Sequence, residues 1–221
     1  MAVKKSGVWR VESEVEGRCI IIGASPECDT EIISEKVNQD DCIVCADGGY
    51  KYALSAGIEP DIIIGDFDSS EFPENLECEK IKLPVHKDDT DTMYCVKECI
   101  RKGYKEFLLF GMTGGRIDHT YANFCTLLYL SQRDIKASLF DSENEIFVMT
   151  SGKRVIENKK EHIFSIFPFG CEKCTVSLDG FEYGLENGIL NAEFPLGVSN
   201  VIKSDEAKII LHEGSAICML R

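Results

Sequence analysis

The sequence has few basic residues for its number of acidic ones. Its 221 residues include 24 Lys and Arg against 38 Asp and Glu, which gives a net charge of −14. Nucleic-acid phosphates should repel such a chain, so we do not expect a general nucleic-acid binder. Half of the acidic excess lies in residues 61–91, which hold ten acidic and three basic residues. Gathered carboxylates usually form a solvated face, but they are also the ligands that divalent cations prefer.

Long hydrophobic runs are also missing. The longest apolar stretches, such as Cys19–Ile22, fall far short of the ~18 residues that a membrane-spanning helix needs. The first residues, MAVKK, are not followed by an apolar region, so we expect neither a secretory signal nor a membrane partner. Hydrophobic residues still make up 44% of the chain and charged residues 28%, which excludes disorder as the dominant state.

Cysteine is frequent, but its pattern does not favour disulfides or zinc. The eleven cysteines are an odd number and are spread through apolar stretches. This favours reduced, mostly buried thiols in a cytoplasmic protein. Two C-x-x-C pairs, Cys42–Cys45 and Cys171–Cys174, each lack a convincing partner pair to complete the four ligands of a zinc site. Buried thiols are therefore the favoured interpretation, with zinc as the alternative.

The first two thirds of the chain alternate between short apolar segments and segments of helical periodicity. We predict strands at 19–23, 42–46, 61–64, 79–83, 106–110 and 135–140, and helices at 28–38, 50–56, 90–102 and 119–131. Continuous apolar strands separated by helices are typical of a mostly parallel sheet with both faces buried. We therefore predict a Rossmann-like α/β domain over residues 1–142.

After Asp141 the pattern changes to strand-like segments at close spacing. We predict strands at 145–149, 154–157, 162–168, 175–178, 188–191, 208–211 and 216–220, separated by turn residues. No stretch there has convincing helical periodicity, which predicts an all-β domain over residues 143–221, either a sandwich or a barrel.

Chemistry-bearing residues follow three of the predicted parallel strands. Asp47 and Asp66 come just after their strands, and a glycine-rich turn follows Phe110. Ligands of open α/β sheets bind at this edge, so the three segments predict one site.

Two acidic motifs could bind a cation there. In Gly65-Asp66-Phe67-Asp68-Ser69, two carboxylates separated by one residue can face one Mg²⁺, although a plain Asp-rich turn has the same pattern. In Asp88-Asp89-Thr90-Asp91, the first two could cap the following helix, but three carboxylates are more than a cap needs.

Two glycine motifs complete the predicted site. The segment 111–119 (GMTGGRIDH) follows a strand and opens a helix, so its backbone N–H groups can cradle a phosphate that Arg116 pairs with. Its spacing is neither that of a P-loop nor that of the dinucleotide fingerprint. Asp47-Gly48-Gly49 could equally be a tight turn. With Lys87 added, these residues indicate Mg²⁺-dependent chemistry on a nucleotide or another polyphosphate.

Taken in order, the motifs resemble those of the thiamine pyrophosphokinase family. The resemblance rests on Ala46-Asp47-Gly48-Gly49, Gly65-Asp66-Phe67-Asp68-Ser69, Asp88-x-Thr90-Asp91, Gly111-x-x-Gly114-Gly115-Arg116-x-Asp118-His119, Gly180-Phe181-Glu182-Tyr183-x-Leu185-Glu186-Asn187 and Gly197-Val198-Ser199-Asn200. It implies an α/β catalytic domain with a C-terminal β-sandwich, working as a homodimer with an active site between subunits. It also implies transfer of the diphosphate of ATP, the co-substrate, to the hydroxyethyl oxygen of thiamine, with release of AMP.

The resemblance also implies roles for single residues. The catalytic group is Asp66, Asp68, Asp91 and Asp118, of which the first three bind Mg²⁺. The residues expected at ATP are Asp47, Gly48, Gly49, Lys87, Thr113, Gly114, Gly115, Arg116 and Asn123. Those expected at thiamine are Tyr183, Ser199 and Asn200. One departure is Val201, since the family often has an acidic residue after Ser-Asn.

Two other functions fit parts of the pattern. A related diphosphokinase acting on another heteroaromatic alcohol, such as a hydroxymethylpterin, would keep the Asp and glycine motifs without the Gly-x-Ser-Asn segment. A non-catalytic nucleotide- or Mg²⁺-binding module would show gaps in the Asp set, and the sequence has none.

Overall fold

The structure is a computed structural model, and it describes residues 15, 17–67, 73–84 and 88–221. Within those residues the helices are α1 (Thr30–Lys36), α2 (Tyr50–Ser55), α3 (Asp91–Lys102) and α4 (Ile117–Ser131). The first strands are β1 (Cys19–Ile22), β2 (Cys42–Ala46), β3 (Ile62–Gly65), β4 (Glu79–Lys82), β5 (Glu106–Phe110) and β6 (Lys136–Phe140). The later strands are β7 (Glu145–Met149), β8 (Gly152–Glu157), β9 (Ile163–Pro168), β10 (Lys173–Asp179), β11 (Leu185–Asn191), β12 (Asn200–Val201), β13 (Glu206–Glu213) and β14 (Ala216–Leu220).

Six strands form a parallel sheet in the order β4-β3-β2-β1-β5-β6. Helices cover both of its faces, so successive residues of β1 enter different cores. Ile21 packs in one hydrophobic cluster and Ile20 in the other. This two-sided burial explains why the strands are apolar at every position, and it confirms the predicted α/β fold.

The same sheet continues into the second half of the chain. After β6 a short turn reverses the chain, and the Asp141 carboxylate holds it by accepting the N–H groups of Glu143 and Asn144 at 3.0 and 2.8 Å. β7 then pairs antiparallel with β6, and β14, β9 and β12 extend the sheet to ten strands. The division into domains between residues 142 and 143 stays a prediction, at a turn inside a sheet that both halves share.

A second sheet closes a β-sandwich. Its strands are antiparallel in the order β11-β10-β13-β8. Alternate residues of β10, namely Cys174, Val176 and Leu178, are buried against the inner face of the long sheet, where Phe147 and Phe164 lie. This confirms the prediction of an all-β region and shows that it is a sandwich, not a barrel. The short strand β12 was not predicted, because two residues carry no readable periodicity.

The start of α3 differs in one detail from the sequence interpretation. Thr90, not Asp88 or Asp89, is the N-cap, and its hydroxyl oxygen accepts the N–H of Met93 at 3.2 Å. Asp89 instead pairs with Lys97 at 2.7 Å. Asp91 thereby becomes the first residue of the helix, at the edge where the parallel strands end.

All eleven cysteines are free thiols, and six of them are buried. Cys125 is the exposed exception to the expected burial. In the part of the chain that the structure describes, no helix is long and apolar enough to cross a membrane.

Candidate active site

A cavity of about 450 Å³ lies at the carboxyl ends of β1, β2 and β5. Of the three strand-end motifs that were expected to meet, those after β2 and β5 line it, whereas Asp66, after β3, does not. Its walls are Gly23, Ala24, Ser25, Pro26, Ala46, Asp47, Thr90, Asp91, Thr92, Gly111, Met112, Gly114, Gly115, Arg116, His119, Ala122 and Asn123. Residues more than 90 positions apart in the chain therefore share one site.

The cavity gathers part of the predicted nucleotide site. The predicted residues in its walls are Asp47, Asp91, Gly114, Gly115, Arg116 and Asn123. Predicted residues that are described but do not line it are Gly48, Gly49, Asp66, Thr113, Asp118, Tyr183, Ser199 and Asn200. Asp68 and Lys87 lie outside the described residues.

Gly49 serves the approach of two strand ends. It is buried, and a Cβ atom at this position would lie 2.1 Å from the carbonyl oxygen of Ile22. The backbone at position 49 can thus pass directly beside the end of β1 only because Gly49 has no side chain. The turn itself brings Asp47, with φ of 48°, to the cavity wall.

The glycine loop is held by its neighbours from three sides. The N–H of Ser25 bonds to the carbonyl of Gly111 at 3.1 Å, and the Ser25 hydroxyl donates to the carbonyl of Thr113. The Asn123 amide donates to the carbonyl of Met112 at 2.8 Å, and the Thr113 hydroxyl bonds to Asp141 at 3.2 Å. Asn123 and Asp141 thus hold the loop in place through its residues Met112 and Thr113.

Glu27 lies against the front of the same loop. Gly114 has φ of 85°, and a Cβ there would be 2.4 Å from the Glu27 carboxylate. The N–H of Gly115 points to the same carboxylate at 3.4 Å, a long and weak contact. One backbone N–H group of this loop therefore faces an anionic group, as the N–H groups of a phosphate cradle do. Glu27 and the preceding segment 23–26 were missed from sequence, although the end of a central parallel strand marks such a segment.

Arg116 and Asp118 form a two-point ion pair at the mouth of the cavity. The distances are 2.6 Å from Nη2 to Oδ2 and 3.2 Å from Nε to Oδ1. The hydrogen bond from Arg116 lowers the pKa of the Asp118 carboxyl. Arg116 lines the cavity whereas Asp118 does not, and both side chains are largely exposed.

The predicted metal ligands are partly placed. Asp91 opens α3 in the cavity wall, and Asp66 directly follows β3. A Cβ at Gly65 would be 2.9 Å from the Cα of Asp47, so the ends of β3 and β2 lie side by side. Hard carboxylate oxygens at one sheet edge suit Mg²⁺ in their chemistry. The described residues alone contain no group of three potential ligands close enough to hold an ion.

The predicted thiamine residues lie in the β-sandwich half. The ring of Tyr183 is 67% exposed, so it is not a core aromatic. Asn200 is buried, and its side chain is bonded on both sides. Its Oδ1 accepts the N–H groups of Tyr183 at 3.0 Å and Val201 at 2.9 Å, while its Nδ2 donates to the Tyr183 carbonyl at 2.8 Å. Asn200 therefore shapes the Tyr183 loop rather than facing outward.

Ser199 sits in a strained turn next to that loop. Its φ is 56°, and its N–H donates to the Ser165 hydroxyl at 3.0 Å.

Comparison with known proteins decides the family. The model of the thiamin pyrophosphokinase catalytic domain matches residues 33–139, and that of the thiamin pyrophosphokinase vitamin B1 binding domain matches residues 153–215. The chain belongs to the thiamin pyrophosphokinase family. A thiamine pyrophosphokinase of Bacillus subtilis (strain 168) is 32% identical over 160 residues, which cover 70% of this chain and 75% of that protein.

Solved structures agree with the fold. The crystal structure of thiamine pyrophosphokinase from Bacillus subtilis superposes with a TM-score of 0.82 at 25% identity, covering 91% of this chain and 97% of that one. The yeast thiamin pyrophosphokinase structure has a TM-score of 0.74 at 19% identity and covers 95% and 87%. The predicted family and the predicted two-part architecture are confirmed. The roles of single residues stay predictions.

Proposed function

We propose that this chain transfers the diphosphate of ATP to the hydroxyethyl oxygen of thiamine, giving thiamine diphosphate and AMP. The observation that carries the proposal is the cavity at the carboxyl edge of the sheet, where a glycine loop, Arg116 and Asp91 meet in a chain of this family. As a kinase of the family the protein uses ATP as its co-substrate.

The glycine loop and Arg116 are proposed to bind the triphosphate. The N–H group of Gly115 already faces the carboxylate of Glu27, and Arg116 already makes a two-point pair with Asp118. A phosphate presents the same paired oxygens with more charge, so it can replace both carboxylates. Thr113, Asn123 and the Asp47-Gly48-Gly49 turn are proposed to shape the nucleotide site, with Lys87 as a further cation.

Asp66, Asp68 and Asp91 are proposed to hold Mg²⁺. The bound ion would neutralise phosphate charge and polarise the group being transferred. The chain itself supplies orientation, which is most of what phosphoryl transfer asks of a protein. Of the two candidate acceptors for the alcohol proton, Asp91 lines the cavity and Asp118 does not, so Asp91 is the better placed.

Thiamine is proposed to bind between two subunits of a homodimer. None of the described residues after Asn123 lines the cavity, so Tyr183 and the segment 199–200 would have to reach it from a partner chain. The sandwich exposes apolar side chains on the segment before Ser199, with Phe194 at 63% and Leu196 at 59%, and α4 exposes Ile117 at 84% beside the glycine loop. Apolar surface of this kind marks interaction sites.

The exposed ring of Tyr183 suits the thiazolium cation of thiamine, which an aromatic face attracts. Free thiols throughout the chain favour the cytoplasm as its location.

The reaction can be tested by its dependence on the acceptor. The protein is incubated with ATP, Mg²⁺ and either thiamine or a hydroxymethylpterin, and AMP is quantified by chromatography. We expect AMP only with thiamine, in amounts equal to thiamine diphosphate. Asp91→Asn should abolish it, whereas Asp40→Asn, the same change at an exposed and remote carboxylate, should not. AMP formed with the pterin alone would indicate the related diphosphokinase instead.

A further inference from the structure

A cluster of three thiols and a phenol lies at the opposite edge of the parallel sheet from the cavity. Cys19 and Cys42 are the first residues of β1 and β2, and their Cα atoms are register partners. Cys99 of α3 and Tyr104, just after that helix, pack in the same hydrophobic cluster. The carboxyl end of β1 is about 10 Å away, at ~3.3 Å per residue. The proposed diphosphate transfer makes no use of this cluster.

Within the cluster, Cys19 lies near enough to Cys42 and Cys99 for each to affect its pKa, and Tyr104 likewise affects the pKa of Cys42. Cys19 is the thiol that stands directly opposite Cys42 in the sheet. Register partners on parallel strands point their Cβ atoms to the same side, with Cα atoms about 4.8 Å apart, which lies inside the ~4.4–6.8 Å range of disulfides.

Burial and charge separate the roles of the two thiols. Cys19 is fully buried and Cys42 half-buried. The groups that face Cys42 from its neighbours are Cys19, Tyr104, Lys102 and Asp61. Interaction with the Cys19 thiol, with smaller contributions from Tyr104 and Lys102, lowers the pKa of the Cys42 thiol to about 7, against burial and the repulsion of Asp61. Burial raises the pKa of the Cys19 thiol well above its usual range.

We propose that Cys42 is a modification site, whose thiolate reacts with hydroperoxides and whose oxidised form Cys19 resolves as a Cys19–Cys42 disulfide. In the first step the Cys42 sulfur attacks one peroxide oxygen, the O–O bond breaks, and Cys42 becomes a sulfenic acid as hydroxide leaves. In the second step the Cys19 thiol loses its proton, its sulfur attacks the Cys42 sulfur, and the hydroxyl leaves as water. Two thiols lose two electrons, and hydrogen peroxide becomes two waters.

The alternative is an inert core thiol, as at Cys95 and Cys218, which are fully buried and whose thiols have raised pKa values because of that burial. The two interpretations differ in the pH dependence of alkylation. A thiolate with a pKa near 7 is half formed at neutral pH, compared with about 3% for an ordinary thiol of pKa ~8.5. Lower basicity reduces its nucleophilicity, which leaves a rate advantage of only about three-fold. The midpoint of the pH profile is therefore the better readout.

The first experiment oxidises the reduced full-length chain with hydrogen peroxide and maps the products by mass spectrometry. Tryptic cleavage places Cys19 with Cys28 and Cys42 with Cys45, so fragmentation must assign the linked sulfurs. We expect the Cys19–Cys42 disulfide. Cys19→Ala should instead leave a Cys42 sulfenic acid that dimedone traps, while Cys95→Ala, the same truncation at another fully buried thiol, should leave the disulfide unchanged. A reduced Cys42 beside an oxidised Cys125, or a Cys42–Cys99 link, would overturn the proposal.

The second experiment needs no disulfide and covers the case in which Cys19→Ala does not fold. Iodoacetamide labelling of Cys42 is followed from pH 5.5 to 9.5 by peptide mass spectrometry. We expect a midpoint near pH 7 that rises in Tyr104→Phe, which removes the phenol hydroxyl that helps to lower the pKa of Cys42. A midpoint at ~8.5 or above, as for an ordinary thiol, would show that Cys42 is not a preferred site.

Discussion

Asn200 gives the sharpest test of how the sandwich half shapes its end of the site. Asn200→Ala removes three hydrogen bonds, of 2.8, 2.9 and 3.0 Å, from a buried side chain. At about 1 kcal/mol each, the loss is about 3 kcal/mol, provided that water does not replace the bonds. In a chain of this size that lowers the melting temperature by roughly 6–12 °C. Asn191→Ala, at an exposed asparagine, is the control and should stay near the wild type.

The same change should also weaken thiamine binding through Tyr183. Both backbone bonds to Tyr183 disappear in Asn200→Ala, so its exposed ring loses its fixed place. Tyr183→Ala removes the ring itself, and a cation–π contact of ~1–2 kcal/mol then predicts a KM for thiamine roughly ten-fold higher. The melting temperature of Tyr183→Ala should hardly change, because Tyr183 is 67% exposed.

The double variant separates positioning from direct contact. If Asn200 acts through Tyr183, the KM of the double variant should equal that of Tyr183→Ala, whereas independent contacts would multiply the two effects. Thermal melts and steady-state kinetics measure both quantities. An Asn200→Ala protein with normal melting and a normal KM for thiamine would refute the reasoning.

Three further predictions concern the metal, the assembly and the strand ends. Asp66→Asn and Asp91→Asn should each reduce turnover at least a hundred-fold, which corresponds to ~3 kcal/mol of lost transition-state stabilisation, while circular dichroism shows an intact fold. Near-normal activity in both variants would contradict Mg²⁺ binding by these residues. Sedimentation should show a dimer that Phe194→Asp dissociates and Leu54→Asp, at the exposed side of α2, does not; an active monomer would exclude a shared site. Gly49→Ala should lower the free energy of unfolding by ~3 kcal/mol or more, because the new Cβ would lie 2.1 Å from the Ile22 carbonyl oxygen. An unchanged denaturation midpoint would show that the ends of β1 and β2 can move apart.

The parallel strands could be predicted because both of their faces are buried, so consecutive residues in the sequence are apolar. Each of β1 and β3 is apolar at nearly every position, and the turns that follow them carry the glycines and carboxylates. Other strands were harder to predict. β12, at the edge of the long sheet, has two residues, and the ends of β10 and β13, in the middle of the second sheet, carry charges such as Lys173 and Glu206, so pairing extends past the apolar pattern.

Side-chain partners were the part of the site that the sequence could not provide. Thr90 caps α3 in competition with two neighbouring aspartates, of which Asp89 instead pairs with Lys97, nearly two turns into the helix. Asn200 was expected to face a ligand, and its inward amide depends on the path of the Tyr183 loop. Glu27 reaches the glycine loop from 88 residues away, a distance over which no local pattern operates.

The fate of isotope in ATP tests the central claim most directly. ATP labelled at the β-phosphorus is mixed with thiamine, Mg²⁺ and the protein, and the products are separated. Diphosphate transfer predicts that the label enters thiamine diphosphate and that unlabelled AMP forms in equal amount. Label retained in ADP, with thiamine monophosphate or orthophosphate as the other product, would contradict the account, since a single phosphoryl group would then have moved.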